Sequence, residues 1–135
     1  GLEAEALERI ADHLIGQVDG KVDCIVVEIA DGLLQRETQM LLRSDKFRSK
    51  VGSLVLATPD PLSALGGQQF LDTLGYRVAA YTGRISASPL FVNELREATH
   101  VPVLTSRDLE SMDSAPLILM QQSVFDQHER MVGVA

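Results

Sequence analysis

Four short apolar runs, separated by segments with helical spacing, constrain the fold of this 135-residue chain. The runs are Cys24–Val27, Ser53–Thr58, Tyr76–Tyr81 and Val101–Leu104. Short β-branched runs are typical of strands that are covered on both faces, and strands that alternate with helices are typical of parallel βαβ units. The sequence therefore predicts an α/β fold, a three-layer Rossmann-like domain with a mainly parallel sheet of about four strands and helices on both faces. We expect residues 1–135 to form a single domain.

The segments between the runs carry helix signals. Leu2 to Val18 has the apolar spacing of an amphipathic helix, and helical spacing also begins at Leu33, after the first run. Ser88 followed by Pro89 is a helix start, with a hydroxyl N-cap and proline at the first helical position. These signals predict helices on both sides of most of the strands.

Two segments in the second half of the chain have secondary-structure signals that allow more than one interpretation. Gly66-Gly67 lies in the helical pattern after the second run, so either the helix begins after these glycines or another backbone approaches them closely. Residues 115–124 are interpreted as a helix, with a strand as the alternative, and Gln127–Ala135 as a loosely held tail.

Charge and composition limit the possible partners. The net charge of -7 disfavours binding to nucleic acid or to anionic membranes, since an acidic surface repels phosphate groups. No apolar run approaches the length of about 20 residues that a bilayer requires. Cys24 is the only cysteine, which excludes an intrachain disulfide, and we expect it to be a small buried hydrophobic residue in the first strand. A soluble cytoplasmic protein is the expectation.

Carboxylates follow the first two predicted strands. Glu28 and Asp31 come after the first strand, and Asp60 after the second. Ligands of parallel sheets lie outside the carboxyl ends of the strands, and carboxylates there bind Mg²⁺, often through water. The sequence predicts a magnesium site formed by these three residues. The alternative is that they cap helices and end strands.

The same edge of the sheet carries candidate ligand-binding residues of other types. They are Arg36, Thr58, Thr82, Gly83 and Arg84. The arginines and the threonine-glycine turn are suited to contact a phosphate or a base. The alternatives are surface ion pairs for Arg36 and simple turn formation for the loop residues.

Motifs that would identify a reaction are absent from the sequence. There is no GxSxG nucleophile elbow, no HExxH metal pair, no GxGxxG after a strand and no GxxxxGK[ST] phosphate loop. We therefore predict no catalytic residue. An enzyme that acts on a small carboxylate or phosphate through the arginines is the weakest alternative, because no proton-transfer pair accompanies them.

The stretch DCIVVEIADGL, residues 23–33, resembles the dethiobiotin-synthetase-like branch of the P-loop NTPases. In that family a strand after the phosphate loop reads apolar-apolar-apolar-Glu-Gly-Ala-Gly-Gly, and Glu28 matches its glutamate. This chain departs from the pattern at Ile29-Ala30-Asp31-Gly32. The order of strands and helices over residues 22–110 is also similar, although Tyr81-Thr82-Gly83 stands where the family has a base-reading asparagine.

The resemblance implies a specific placement of this chain. It would be the C-terminal part of a P-loop NTPase, without the Walker A loop and cut from a longer protein. Glu28 would then lie near Mg²⁺ and the phosphates of a nucleotide or a small phosphorylated molecule. The alternative is a non-catalytic Rossmann-like interaction module that forms a homodimer through an exposed sheet edge.

Overall fold

The computed structural model describes residues 3–111 and the backbone of residues 131–134. These residues form an α/β fold with a small parallel sheet, so the α/β class is confirmed. The helices are α1 Ala4–Val18, α2 Arg36–Arg43, α3 Asp45–Arg48, α4 Pro61–Thr73, α5 Pro89–Ala98 and α6 Ser106–Glu110, with a 3₁₀ turn at Arg84–Ala87. The strands are β1 Ile25–Glu28, β2 Val51–Ala57, β3 Val78–Thr82 and β4 Met131–Val134.

The strands lie side by side in the order β1-β4-β2-β3, and every pairing is parallel. The buried core surrounds β2 and β3, where Leu54, Leu56, Val78 and Tyr81 are all less than 5% exposed. Leu71 of α4 is fully buried in the same cluster. The aliphatic runs of the sequence therefore supply the core, as their composition predicts.

The strand next to β1 is not the one that the sequence predicts. Residues 131–134 of the expected loose tail form β4, which pairs with both β1 and β2. Four residues give too short a pattern to identify a strand, and their partners lie about 80–100 residues earlier in the chain. The prediction of a loose tail is wrong for Met131–Val134.

Val101–Leu104 is not a fourth strand but a single bridge beside β3. Val103 pairs with Tyr81, the Tyr81 N–H donates to Pro102 O at 2.8 Å, and the Leu104 N–H donates to Tyr81 O at 2.8 Å. Pro102 has no N–H to donate, which limits how far the ladder can extend. The segment still lies against the sheet and supplies buried Val103 and Leu104.

The described residues cover β1 on one face only, contrary to the prediction. Its residues alternate between half-buried and exposed, and Val26 is 66% exposed. Cys24 precedes the strand and is exposed, so it is not the buried hydrophobic residue that we expected. The reason is the position of β1 at the edge of the sheet, where one apolar face has no covering helix among the described residues.

The helix after β1 begins later than its apolar spacing suggests. Gln35 caps α2 with its Oε1, which accepts the Thr38 N–H at 3.0 Å, so Leu33 and Leu34 precede the helix. This delay leaves an irregular segment between β1 and α2, with a turn in which the Gln35 N–H donates to Gly32 O at 2.9 Å. The predicted helix at 115–124 lies outside the described residues.

α1 packs on the core through a different face from its longest apolar stripe. Ile15 is buried and Ala11 is half-buried, whereas Ile10, Leu14 and Val18 are exposed. Asp12 ties α1 to the region of α3 through ion pairs with Lys46 and Lys50, the latter at 2.7 Å.

Candidate functional site

A cleft of about 650 Å³ lies at the carboxyl ends of β1 and β2. Its walls are the segment from Glu28 to Leu34, the end of β2 from Leu56 to Pro59, and one face of α4. We call it the end-of-strand cleft. This is the edge at which parallel α/β sheets bind their ligands.

Two glycines of α4 create this space. Ser63, Gly66, Gly67 and Phe70 line the cleft, and their spacing places them on one face of the helix. A Cβ on Gly67 would lie 2.9 Å from Leu56 Cδ2, so only glycine lets the helix come this close to β2. A Cβ on Gly66 would meet no atom within 4 Å. Because α4 begins at Pro61, the helix does not begin after the glycine pair. A close backbone approach is not found either, since the atoms nearest to a Cβ on Gly67 belong to the side chains of Leu56 and Leu33.

Glu28 and Asp31 both line the cleft, and both are exposed. Glu28 is the last residue of β1, as the sequence predicts. Neither carboxylate takes part in an ion pair or a side-chain hydrogen bond within the described part of the chain.

Asp60 does not line the cleft, because its carboxylate caps α4. Oδ1 accepts the Ser63 N–H at 2.8 Å, and Oδ2 accepts the Ser63 hydroxyl at 2.7 Å. These hydrogen bonds to Ser63 lower the pKa of Asp60. Across residues 3–111, no three His, Cys, Asp or Glu side chains are grouped so that they could hold a metal ion. The structure therefore brings two of the three predicted carboxylates to the cleft and gives the third the capping role.

Thr58, Thr82 and Gly83 hold the ends of β2 and β3 together. The Thr58 N–H donates to Thr82 O at 2.9 Å, and Thr58 O accepts the Ile85 N–H at 3.0 Å. The Thr82 hydroxyl donates to Leu104 O at 3.1 Å. Gly83 has a φ of 90°, and a Cβ there would lie 2.9 Å from Thr58 N. Of these three predicted residues only Thr58 lines the cleft, and its polar backbone atoms are already paired.

Neither predicted arginine reaches the cleft. Arg36 opens α2 and lies 3.9 Å from Glu37, as the surface ion-pair alternative predicts, and Arg84 is exposed at the start of the 3₁₀ turn. The described lining residues include no Lys, Arg or His. The described walls of the cleft are therefore acidic and apolar, and they carry no basic side chain to bind an anion.

Comparisons with protein-family models, curated proteins and solved structures found no match. The relationship to P-loop NTPases accordingly stays a prediction, and the function has to be argued from the cleft. The helices that the structure describes include none with the length and apolarity needed to cross a bilayer.

The apolar wall is the part of the site that the sequence analysis missed. Ile29, Leu33, Leu56 and Phe70 line the cleft, and none of them was among the predicted site residues. The sequence signal for this wall is Gly66-Gly67. A glycine pair inside a helix lowers the stability of the helix and leaves space beside it that a side chain would otherwise fill.

Proposed function

We propose that this chain is a three-layer Rossmann-like domain, related to P-loop nucleotide-binding proteins, that binds a small ligand in the end-of-strand cleft. The cleft is the observation that supports ligand binding. Its volume of about 650 Å³ lies within the range of small-molecule sites, and its mostly apolar walls with a few polar groups are typical of them.

A nucleotide or a small phosphorylated molecule is the ligand that the resemblance implies, and it requires Mg²⁺ here. Phosphate oxygens would face Glu28 and Asp31 with no cationic side chain among the described lining residues. An Mg²⁺ ion commonly uses one or two carboxylates together with substrate phosphates, so these two residues would suffice as its protein contacts. Without the phosphate loop, we expect the affinity for a nucleotide to be low.

The proposal includes no catalysis by this chain alone. The two hydroxyls in the cleft both donate to Asp60, from Thr58 to its carbonyl oxygen at 3.2 Å and from Ser63 to its carboxylate at 2.7 Å. The carboxylate that accepts from the Ser63 hydroxyl also accepts the Ser63 N–H as the cap of α4, and the carbonyl oxygen that accepts from Thr58 is not a base that could activate a nucleophile. Binding, rather than group transfer, is the function that this chemistry favours.

Calorimetric titration with ATP and Mg²⁺ tests the phosphorylated ligand. We expect weak binding that requires Mg²⁺ and that is lost in Glu28→Gln, because one of the two carboxylates is removed. Glu94→Gln, which makes the same charge change on an exposed residue of α5 outside the cleft, should bind like the wild type. Sub-micromolar affinity in the wild type would contradict a site without a phosphate loop, and equal binding by Glu28→Gln would place the ligand elsewhere.

A second candidate is a non-catalytic interaction module that forms a homodimer, and the exposed side of β1 favours it. Val22 and Val26 are 52% and 66% exposed, and β1 pairs only with β4 in the part of the chain that the structure describes. An edge strand with apolar side chains is a common pairing surface. Light scattering of the wild type and of Val26→Lys tests this candidate. A dimer that dissociates in the variant would support it, and a monomeric wild type would exclude it.

A further inference from the structure

We infer that the end-of-strand cleft is built for an organic cation with an apolar body, such as an arylalkylammonium compound. This inference rests on the proposed ligand site, and it assigns that site a cationic ligand in place of the phosphorylated one that the resemblance implies. It follows from the charges at the cleft and from the groups that are left without a partner.

At the two helix N-termini near this edge, a cap side chain already accepts a backbone N–H of the first turn. The N-terminus of α4 is capped by a carboxylate, that of Asp60, which accepts the Ser63 N–H. The N-terminus of α2 is capped by Gln35, and Glu37 lies in its first turn. Helix N-termini that bind anions present free N–H groups, so these two are poorly suited to hold phosphate or carboxylate.

The negative groups, in contrast, are free. Glu28 and Asp31 line the cleft without an ion pair or side-chain hydrogen bond in the described residues, whereas Asp12, Asp45 and Asp60 are all paired. A carboxylate that accepts hydrogen bonds from an ammonium group makes a stronger contact than a neutral pair does. The net charge of -7 adds a field that attracts cations to the whole chain.

The remaining wall suits the apolar part of such a ligand. Ile29, Leu33 and Phe70 line the cleft, and all three are half-buried, so each presents part of its apolar surface to it. A hydrocarbon body would be withdrawn from water against these side chains. The ring of Phe70 can also attract a cation through its face. The cleft thus combines an acidic side and an apolar wall, which a small hydrated inorganic cation would not use.

Three probes of matched shape test the inference: 4-phenylbutylammonium, 4-phenylbutanol and 4-phenylbutyrate. Binding is followed in magnesium-free buffer by the methyl NMR shifts of Leu33 and Leu56, which report contact with the cleft. We expect the ammonium compound to bind about tenfold more tightly than the carboxylate, since charge-assisted hydrogen bonds replace a repulsion. Added salt should reduce this preference, because both carboxylates are exposed.

Variants assign the preference to the named groups. Glu28→Gln and Asp31→Asn should each weaken the ammonium compound severalfold and leave the alcohol unchanged, whereas Glu94→Gln should change neither. Gly66→Leu should weaken all three probes, because its side chain would extend from the face of α4 that lines the cleft.

The possible outcomes distinguish a failure of the cation preference from a failure of ligand binding in the cleft. Equal affinity for the three probes, abolished by Gly66→Leu, would overturn the cation preference and leave the ligand site intact. A preference for the carboxylate would overturn it as well. No shift with any probe at millimolar concentrations would overturn both, and a cation preference that persists in the double variant Glu28→Gln and Asp31→Asn would place the cation elsewhere.

Discussion

At the scale of single residues, Gly66 and Gly67 are neighbours with opposite structural roles. Alanine at either position should gain about 1 kcal/mol in helix propensity. At Gly66 this gain should be realised, because the new Cβ meets open space. At Gly67 the Cβ would press on Leu56, whose side chain is buried, and overpacking of this kind costs about 1–3 kcal/mol. We expect urea denaturation to show Gly66→Ala more stable than the wild type and Gly67→Ala no more stable than it.

Each of the two variants is the control for the other, because the residues are adjacent in one helix and the substitution is identical. Equal stabilisation of both would show that α4 does not approach β2 as closely as the structure indicates. A destabilised Gly66→Ala would show that the space beside this glycine is not open. Both measurements are independent of any ligand.

At the scale of elements, the sequence predicts those whose signals are local. Ser88 and Pro89 start α5 as expected, and the hydroxyl of Ser88 accepts the Phe91 N–H. β2 and β3 are found within two residues of their predicted ends because each is an apolar run bounded by turn residues. β4 was missed because its pattern is short and its stabilising contacts are distant in sequence.

The candidate site likewise has residues that the sequence predicts and residues that only the packing of distant elements brings together. Glu28 and Asp31 could be placed from the sequence, because the rule that parallel strands end at one edge needs only the order of the elements. Their apolar counterpart, Leu56 and Phe70, could not, since only the packing of α4 across β2 exposes these side chains to a cleft. Asp60 shows the limit of the rule, because a local hydrogen bond to the first turn of a helix determines its role.

Because β4 lies between β1 and β2, the sheet should be sensitive to a substitution that breaks its hydrogen bonds. Val132→Pro removes a backbone N–H from a strand that has neighbours on both sides, so we expect a loss of more than about 2 kcal/mol in the free energy of unfolding. Val132→Thr keeps the N–H and the branched shape, and it is the matched control. Thermal denaturation followed by circular dichroism measures both. Similar melting temperatures for the two variants would contradict a central β4.

At the scale of the whole molecule, the titrating groups predict how stability depends on pH. Hydrogen bonds to Lys46 and then Lys50 lower the pKa of Asp12, and burial raises the pKa of Tyr76 to about 12. A lowered carboxyl pKa contributes stability that is present above the unfolded value of about 3.9 and is lost as the pH falls through the folded value. A raised tyrosine pKa contributes stability that is present below about 10 and is lost as the pH rises towards 12.

The free energy of unfolding should therefore be constant near neutral pH and decrease in both acid and alkaline solution. We call these two decreases the acid limb and the alkaline limb, and two variants distinguish the groups that cause them. Asp12→Asn should flatten the acid limb, because its amide does not titrate, and it should change the alkaline limb only through Lys46, whose pKa Asp12 raises by a hydrogen bond. Tyr76→Phe should flatten the alkaline limb. It should also cost about 1–2 kcal/mol at pH 7, since the Tyr76 hydroxyl donates to Leu42 O at 3.0 Å in a buried site. Urea denaturation from acid to alkaline pH measures both limbs. An alkaline limb of wild-type steepness in Tyr76→Phe would contradict the role of Tyr76 and assign the limb to Tyr81 and Lys46, whose pKa values are also raised.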